Sequence, residues 1–275
     1  MAKGSLDRDD YVIGTHELEV ARLALQHRVW RPCMEAAWRH AGIIANQRVA
    51  DLGAGPGYAT FDLAAGVGPA GHVYALERSA RFLEVLRTSL AARPGAPVTV
   101  LEVDLEAAAL PVGNLDATWC RWVLSFLHDP AALVRRIAAS LRPGGAAVFH
   151  EYLDYRAWRG APALPGLDRF VEAVIASWRA HGGDADVGRR LPAMLEAAGL
   201  VVERAVPLAF FPRPGEPMWE WLTAFITGGS ARLVELGEFP ATDNATLQRQ
   251  FAEFASRPGS RMLTPTVLEV VARRP

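Results

Sequence analysis

Val49-Ala50-Asp51-Leu52-Gly53-Ala54-Gly55-Pro56-Gly57-Tyr58 is the stretch from which the rest of the chain is read. An apolar run ends in Asp51, three glycines follow at alternate positions, and a helical pattern begins at Tyr58. A buried strand that passes through a glycine-rich turn into a helix N-terminus lets a ligand approach bare backbone. Spacing discriminates between ligands. A dinucleotide fingerprint, G-x-G-x-x-G, needs glycine at the sixth position counted from Gly53, where Tyr58 stands. The pattern present is D-x-G-x-G-x-G.

Working outward, Arg48–Leu52 reads as the first strand, Tyr58–Ala65 as a helix and Gly71–Glu77 as the second strand, ending in an acid 26 residues after Asp51. A carboxylate at that tip, beside the glycine loop, can accept both hydroxyls of a ribose. The plainer reading is a helix-start acid for the helix over Ala80–Ala92. Pro97–Val103 is the third strand, followed by Asp104-Leu105, and here the plainer reading is a turn-forming Asp. Asn114–Cys120, the fourth strand, runs into Arg121-Trp122, and Asp129 caps a helix with Pro130 at its first position. Arg142-Pro143-Gly144-Gly145 stops that helix ahead of a fifth strand, Ala146–Phe149. The order β-α-β-α-β-β-α-β, with short strands apolar on both faces, specifies an α/β class with a doubly wound, mainly parallel sheet. Such a sheet carries its ligands at the carboxyl ends of the strands.

The flanks are helical. Thr15–Trp30 shows apolar residues at helical spacing with Thr15 as N-cap, and Pro32 opens a second helix to about Ala41. Residues 1–44 thus read as an N-terminal helical lid, from which Tyr11, His16, Gln26 and His27 can face a ligand. Past residue 155 the alternation breaks. Helices are expected over Asp168–Ala180, Arg189–Ala198, Glu216–Thr227 and Thr242–Ala255, and strands over Leu200–Phe211, broken by Pro207, and Thr264–Ala272. Residues 156–275 therefore read as cap helices plus the final strands of the same domain. With 51% hydrophobic and 21% charged residues and a net charge of -1, the chain is globular, with no field favouring nucleic acid or anionic membrane. Cys33 and Cys120 are the only cysteines, and neither has a metal-binding spacing; Cys120 reads as a buried structural thiol. No 18-residue apolar stretch and no leader-like N-terminus occur, so a cytoplasmic location is expected.

Five segments now agree in order and spacing with the class I S-adenosylmethionine (SAM)-dependent methyltransferases. They are the Asp51–Gly57 loop, which resembles the family's motif I, Glu77, Asp104-Leu105, the Asp116–His128 strand and loop, and Leu141-Arg142-Pro143-Gly144-Gly145. The last is similar to the L-x-P-G-G turn of the small-molecule branch. The resemblance covers about residues 45–155, read as a SAM-binding Rossmann-like core, and implies a seven-stranded sheet with one antiparallel strand near its edge. It implies SAM as cofactor, with Gly53, Gly55 and Gly57 admitting the methionyl part and Asp51 orienting the loop. It further implies Glu77 on ribose, Arg78 bordering adenine, Asp104 and Leu105 fixing adenine, and Arg121 near the methionyl group. Tyr11 and Gln26 are the lid residues assigned to the cofactor. In one respect the loop departs from the family: many relatives carry histidine near Phe126, and here His128 comes two residues later.

Methyl transfer from a sulfonium is an in-line displacement, and a base is needed only when the acceptor atom holds its proton at neutral pH. His150, at the tip of the fifth strand, is the candidate catalytic base, with Glu151 and His128 as substitutes. Trp119-Cys120-Arg121-Trp122 is unlike the N-P-P-Y-type motif of amino-group nucleic-acid methyltransferases, and no basic stripe suggests RNA or DNA. No catalytic Pro-Cys pair points to cytosine C5 chemistry, and no acid cluster suggests a magnesium site. The expected partner is a small-molecule substrate, with nucleic acid and membrane excluded and a homodimer left open. Trp158, Phe170, Trp178, Phe210, Phe211, Trp219, Trp221 and Phe225 crowd the C-terminal half; those that face the cleft imply an apolar or aromatic, secondary-metabolite-like acceptor. The alternative is a SAM-binding enzyme of this fold that catalyses a non-methylating decarboxylation, cyclisation or rearrangement.

Overall fold

Short apolar strands alternating with amphipathic helices bury most of their surface only by stacking helices on both faces of a parallel sheet. The computed structural model describes residues 17–93, 95–107 and 109–275 and shows that arrangement. A long helix, α1 (Glu17–Ala41), precedes β1 (Arg48–Leu52), α2 (Tyr58–Val67), β2 (His72–Glu77), α3 (Ala80–Ala91) and β3 (Val98–Glu102). Next come β4 (Leu115–Arg121), α4 (Pro130–Ser140) and β5 (Leu141–Asp154). Asp129 caps α4 by accepting the Ala132 N–H at 2.9 Å. The C-terminal part adds β6 (Arg159–Ala161), α5 (Pro165–Ala180), α6 (Leu191–Ala197), β7 (Val201–Leu208), α7 (Pro217–Glu235), α8 (Ala241–Ser256), β8 (Arg261–Leu263) and β9 (Thr266–Arg273).

Seven strands form one sheet in the order β3-β2-β1-β4-β5-β9-β7. Strands β1 to β5 run parallel, and β9 pairs antiparallel with both β5 and β7. The doubly wound sheet with one antiparallel strand beside its edge is therefore present. Pro207 lies in β7, an edge strand, where a missing donor is tolerated.

Two expectations need correction. Pro32 does not open a second helix; α1 runs through it. An internal proline removes one helical hydrogen bond. Against that cost, Trp30, Met34, Ala37, Trp38 and Ala41 are all buried along this helix, so packing on the sheet outweighs the local defect. Thr15, Tyr11 and His16 lie outside the described residues. Helix α7 continues eight residues past Thr227, through Gly228-Gly229. A Cβ at Gly229 would sit 3.3 Å from the Phe225 ring and 3.4 Å from Phe170, so glycine here serves close packing rather than helix termination. The β6–β8 pair was not legible either, because three-residue strands show no alternation.

The core has three main parts. Met34, Trp38, Leu63, Val67 and Trp119 fill one face of the sheet, and Leu133, Ile137, Phe149, Leu191 and Leu195 the other. A third cluster, rich in aromatic rings, unites α5, α7 and α8. Cys120 is buried and free, as the sequence implies. No helix among the described residues is long and apolar enough to cross a membrane.

A polar cluster links β5, β9 and β7. His150 Nε2 on β5 lies 3.3 Å from Glu269 Oε2 on β9, and Arg204 Nε on β7 donates to Glu269 Oε1 at 2.8 Å. Burial lowers the His150 pKa, with the Glu269 hydrogen bond opposing it. Glu269→Ala is expected to cost about 1–3 kcal/mol, because both neighbours lose their acceptor. Denaturant unfolding measures this, and an unchanged midpoint would show that the three residues contribute nothing.

Candidate functional site

The sheet order sets the site. The carboxyl ends of β3, β2, β1 and β4 are consecutive neighbours, and three inter-strand steps of about 4.8 Å make a row roughly 14 Å long. Asp104 follows β3, Glu77 ends β2, the glycine loop follows β1, and Arg121 ends β4. A cleft of about 790 Å³ runs along this row, within the range of small-molecule sites. Its lining includes Gln26, Asp51, Gly53, Gly55, Glu77, Arg78, Asp104, Leu105 and Arg121. Nine of the expected residues thus share one cavity.

Glycine is required in the loop for two different reasons. Gly53, Gly55 and Gly57 have φ of 70°, 55° and 88°, the left-handed region that other residues rarely adopt. A Cβ at Gly53 would also collide with Val123 across the cleft, and one at Gly57 with Leu86 of α3. Gly55 has open space around it. Gly57 caps α2 and packs on Leu86 instead of lining the cavity.

Glu77 locks this loop. Its Oε2 accepts the Gly55 N–H at 2.8 Å, while Oε1 accepts the N–H groups of Arg78 and Ser79, each at 2.8 Å. Asp51 is buried and accepts the Thr60 hydroxyl at 2.6 Å. Burial raises its pKa to about 6, opposed by the Thr60 hydrogen bond and the Arg121 charge. Arg121 is pushed down to about 10 by burial, opposed by Asp51. Its guanidinium lies 5.3 Å from the Trp122 ring centre and 5.8 Å from that of Trp119, and among the described residues it has no carboxylate within 4 Å. Asp104 makes the local turn the plainer reading anticipates, with Oδ1 accepting the Glu106 N–H at 2.8 Å. Among the described residues its Oδ2 is left without a partner. Arg136 bonds to the carbonyls of Leu105 and Glu106 and fixes the buried Leu105 at the cleft wall.

None of the three candidate bases faces the cleft. His150 is fully buried, with its ring centre 4.9 Å from that of Trp119 and 6.2 Å from that of Trp30, and it is absent from the lining. Its position opposite Arg121 in the β4–β5 register directs the imidazole under α1, which corrects its assignment as catalytic base. Glu151 is buried too, and organises the loop after β4. Its Oε1 accepts the N–H groups of Val123 and Leu124 at 2.9 Å, and Oε2 accepts the Ser125 hydroxyl at 3.0 Å. His128 is exposed and pairs with Glu106.

The C-terminal aromatics are mostly core, the commoner fate of aromatic residues at helical spacing. Trp158, Phe170, Trp178, Trp219, Trp221 and Phe225 are buried core, Phe210 is half-buried, Phe211 is exposed, and none of the eight lines the cleft. The aromatic wall is instead Tyr58, Phe82, Trp119, Trp122 and Phe126. Trp122 holds φ of 52°, unusual for so large a side chain, with its ring stacked on Tyr152 at 5.3 Å and on Trp221 at 6.0 Å. No sequence signal marks a left-handed tryptophan.

A family model described as a methyltransferase domain matches residues 49–145, the stretch that builds this row. Methyltransferase str2 of Strobilurus tenacellus is 27% identical over 222 residues, covering 79% of this chain and 77% of that protein. Residues 49–145 thus form a methyltransferase domain of the class I SAM-dependent kind. A ubiquinone biosynthesis O-methyltransferase of Aromatoleum aromaticum is 34% identical to this methyltransferase over 112 residues, 40% of the chain and 46% of that protein. Among solved structures, the [4+2]-cyclase SpnF aligns over 89% of the methyltransferase and 80% of its own chain, with a TM-score of 0.58 and 18% identity. A Haemonchus contortus phosphoethanolamine N-methyltransferase solved with S-adenosyl-L-methionine also has a TM-score of 0.58, at 15% identity over 90% of this chain and 53% of that one. At these identities the structural likeness concerns the fold alone.

The buried clamp in this methyltransferase has a pH signature. Burial raises the Glu151 pKa to about 7, opposed by the hydrogen bonds it accepts from Leu124, Val123 and Ser125. The folded chain therefore keeps a proton that the unfolded chain releases near its ordinary value of 4.5, so this contribution to stability falls as pH rises from 4.5 to 7. Glu151→Gln is expected to reduce the slope of the stability–pH curve from 4.5 to about 7, leaving the Asp51 contribution, which falls as pH rises from 3.8 to about 6. Equal slopes for variant and parent in urea titrations at several pH values would refute the assignment.

Proposed function

We propose that the row from Asp104 to Arg121 binds SAM in extended form and that the methyl acceptor is a small molecule held where β4 meets α1. The observation that carries this reading is the sequence of groups along one cleft, each suited to the next part of the cofactor. Asp104 Oδ2 and the Leu105 backbone suit an adenine. Glu77 Oε2, with one bond already accepted, retains capacity for a ribose hydroxyl. The bare backbone of Gly53 and Gly55 admits a methionyl chain, and Asp51 and Arg121 offer opposite charges for its ammonium and carboxylate. Arg78 borders the adenine end. Gly57 supports the loop from behind.

Bound SAM supplies an electrophilic methyl on a sulfonium sulfur. The chain's share is positioning: Trp119, Trp122, Phe126, Leu127 and Leu23 form an apolar and partly aromatic wall at the β4 end. The carboxylates along the cleft, Asp51, Glu77 and Asp104, stand on the β1 to β3 side, and no histidine is among the described lining residues. An aromatic or otherwise apolar small molecule matches that wall. The relatives named for ubiquinone biosynthesis O-methylation support a small acceptor of this kind.

Calorimetry with SAM and with S-adenosylhomocysteine tests the site directly. Glu77→Ala and Asp104→Ala should each weaken binding by about 1–3 kcal/mol, with Glu77→Gln as the milder change that keeps the loop filled. Unchanged affinity in both alanine variants would overturn the placement. Release of S-adenosylhomocysteine in the presence of a panel of phenols and quinols tests the reaction. A cofactor that binds but is never demethylated while an acceptor is converted would favour a non-methylating activity.

A further inference from the structure

The substrate end of the cleft contains one polar side chain whose orientation is fixed from outside. Gln26, on α1, is buried and lines the cavity. Its Oε1 accepts two hydrogen bonds, from Arg22 Nη1 at 2.9 Å and from Trp221 Nε1 at 3.1 Å. A guanidinium and an indole N–H can only donate, so the carboxamide oxygen must point toward them. Arg22 is itself held by Glu19, with Nε on Oε2 at 2.7 Å and Nη2 on Oε1 at 2.6 Å. Trp221 is buried and stacked on Trp122. Amide rotation is thereby blocked, and the Gln26 Nε2 donors, which have no partner among the described residues, are left for the cavity.

The location separates this group from the nucleoside half of the site. Trp221 belongs to α7, and its ring packs against Trp122 just beyond β4, which lies on the opposite side of the glycine loop from Glu77 and Asp104. Resting on the cleft reading above, we infer that Gln26 is the acceptor-recognising residue and that the acceptor presents a hydrogen-bond-accepting oxygen, a ring-borne carbonyl, to its amide N–H groups. A fixed, buried donor pair discriminates because an acceptor lacking that oxygen leaves it unpaired. Arg22 and Trp221 are positioning residues. An apolar ring against Trp122 and Phe126, with a carbonyl on Gln26, defines an acyl- or quinone-like aromatic acceptor.

Matched probes test this with S-adenosylhomocysteine-saturated protein. The three hydroxyacetophenone isomers and the three ethylphenol isomers differ in little but C=O for CH2, and their binding is read by tryptophan fluorescence. At least one hydroxyacetophenone is expected to bind about tenfold tighter than its ethylphenol counterpart. In Gln26→Leu and Gln26→Glu that ratio should fall to about one. Trp221→Phe, which frees the amide to rotate, should give an intermediate value. S-Adenosylhomocysteine affinity within about twofold of the parent in each variant shows that fold and cofactor site are intact. A ratio near one in the parent, or a ratio that survives Gln26→Leu, overturns the assignment. Loss of S-adenosylhomocysteine binding on Gln26→Leu, with Trp221→Phe unaffected, makes Gln26 a cofactor ligand instead. Failure of the parent protein to bind S-adenosylhomocysteine at all would instead defeat the cleft reading on which this inference rests.

Discussion

Glu77 accepts three backbone N–H groups, from Gly55, Arg78 and Ser79, and the geometry of the cleft depends on those bonds. A glycine loop with three left-handed residues is entropically costly to hold in one shape. Anchoring its middle amide to a carboxylate on the neighbouring strand fixes it at the moment β1 and β2 pair. The other Glu77 oxygen, Oε1, holds the two residues that lead into α3, so strand, loop and helix start are set by one side chain. Charge-assisted bonds to backbone donors are among the stronger hydrogen bonds available for this purpose.

A second acid, within β5, repeats the device on the other side of the cleft. Glu151 gathers the turn after β4 as Glu77 gathers the turn after β1. Between the two turns lies the contact of Val123 with Gly53, which any side chain at Gly53 would break. Glu151, a substitute base by its sequence, is here the fastener of a loop, and its raised pKa follows from burial against the donors it collects.

The row of strand tips that lines the cleft was legible in the sequence because it is local. Asp51, Gly53, Glu77 and Asp104 each sit at the end of a strand whose length and apolar run are visible, and parallel pairing brings consecutive tips together. What was not legible depends on distant packing. Pro32 reads as a helix start until the rings of Trp30 and Trp38 are seen buried on either side of it. His150 reads as a strand-tip base until Glu269, 119 residues away, is found beside it. Trp221 reads as a core aromatic, which it is, yet its indole N–H also fixes the orientation of Gln26 across 195 residues of sequence. Periodicity reports which face a residue takes, but not which partner arrives from elsewhere.

The sheet order also constrains how the chain is made. β9, residues 266–273, is the last strand in chain order, yet it lies between β5 and β7. Until it leaves the ribosome, β5 presents an open edge and β7 has no neighbour in the sheet, while β1 to β4, whose tips form the cleft, are already complete. Such a nascent chain carries an unpaired apolar edge of the kind chaperones shield. β9 therefore ties β7 to the five parallel strands that carry the cleft.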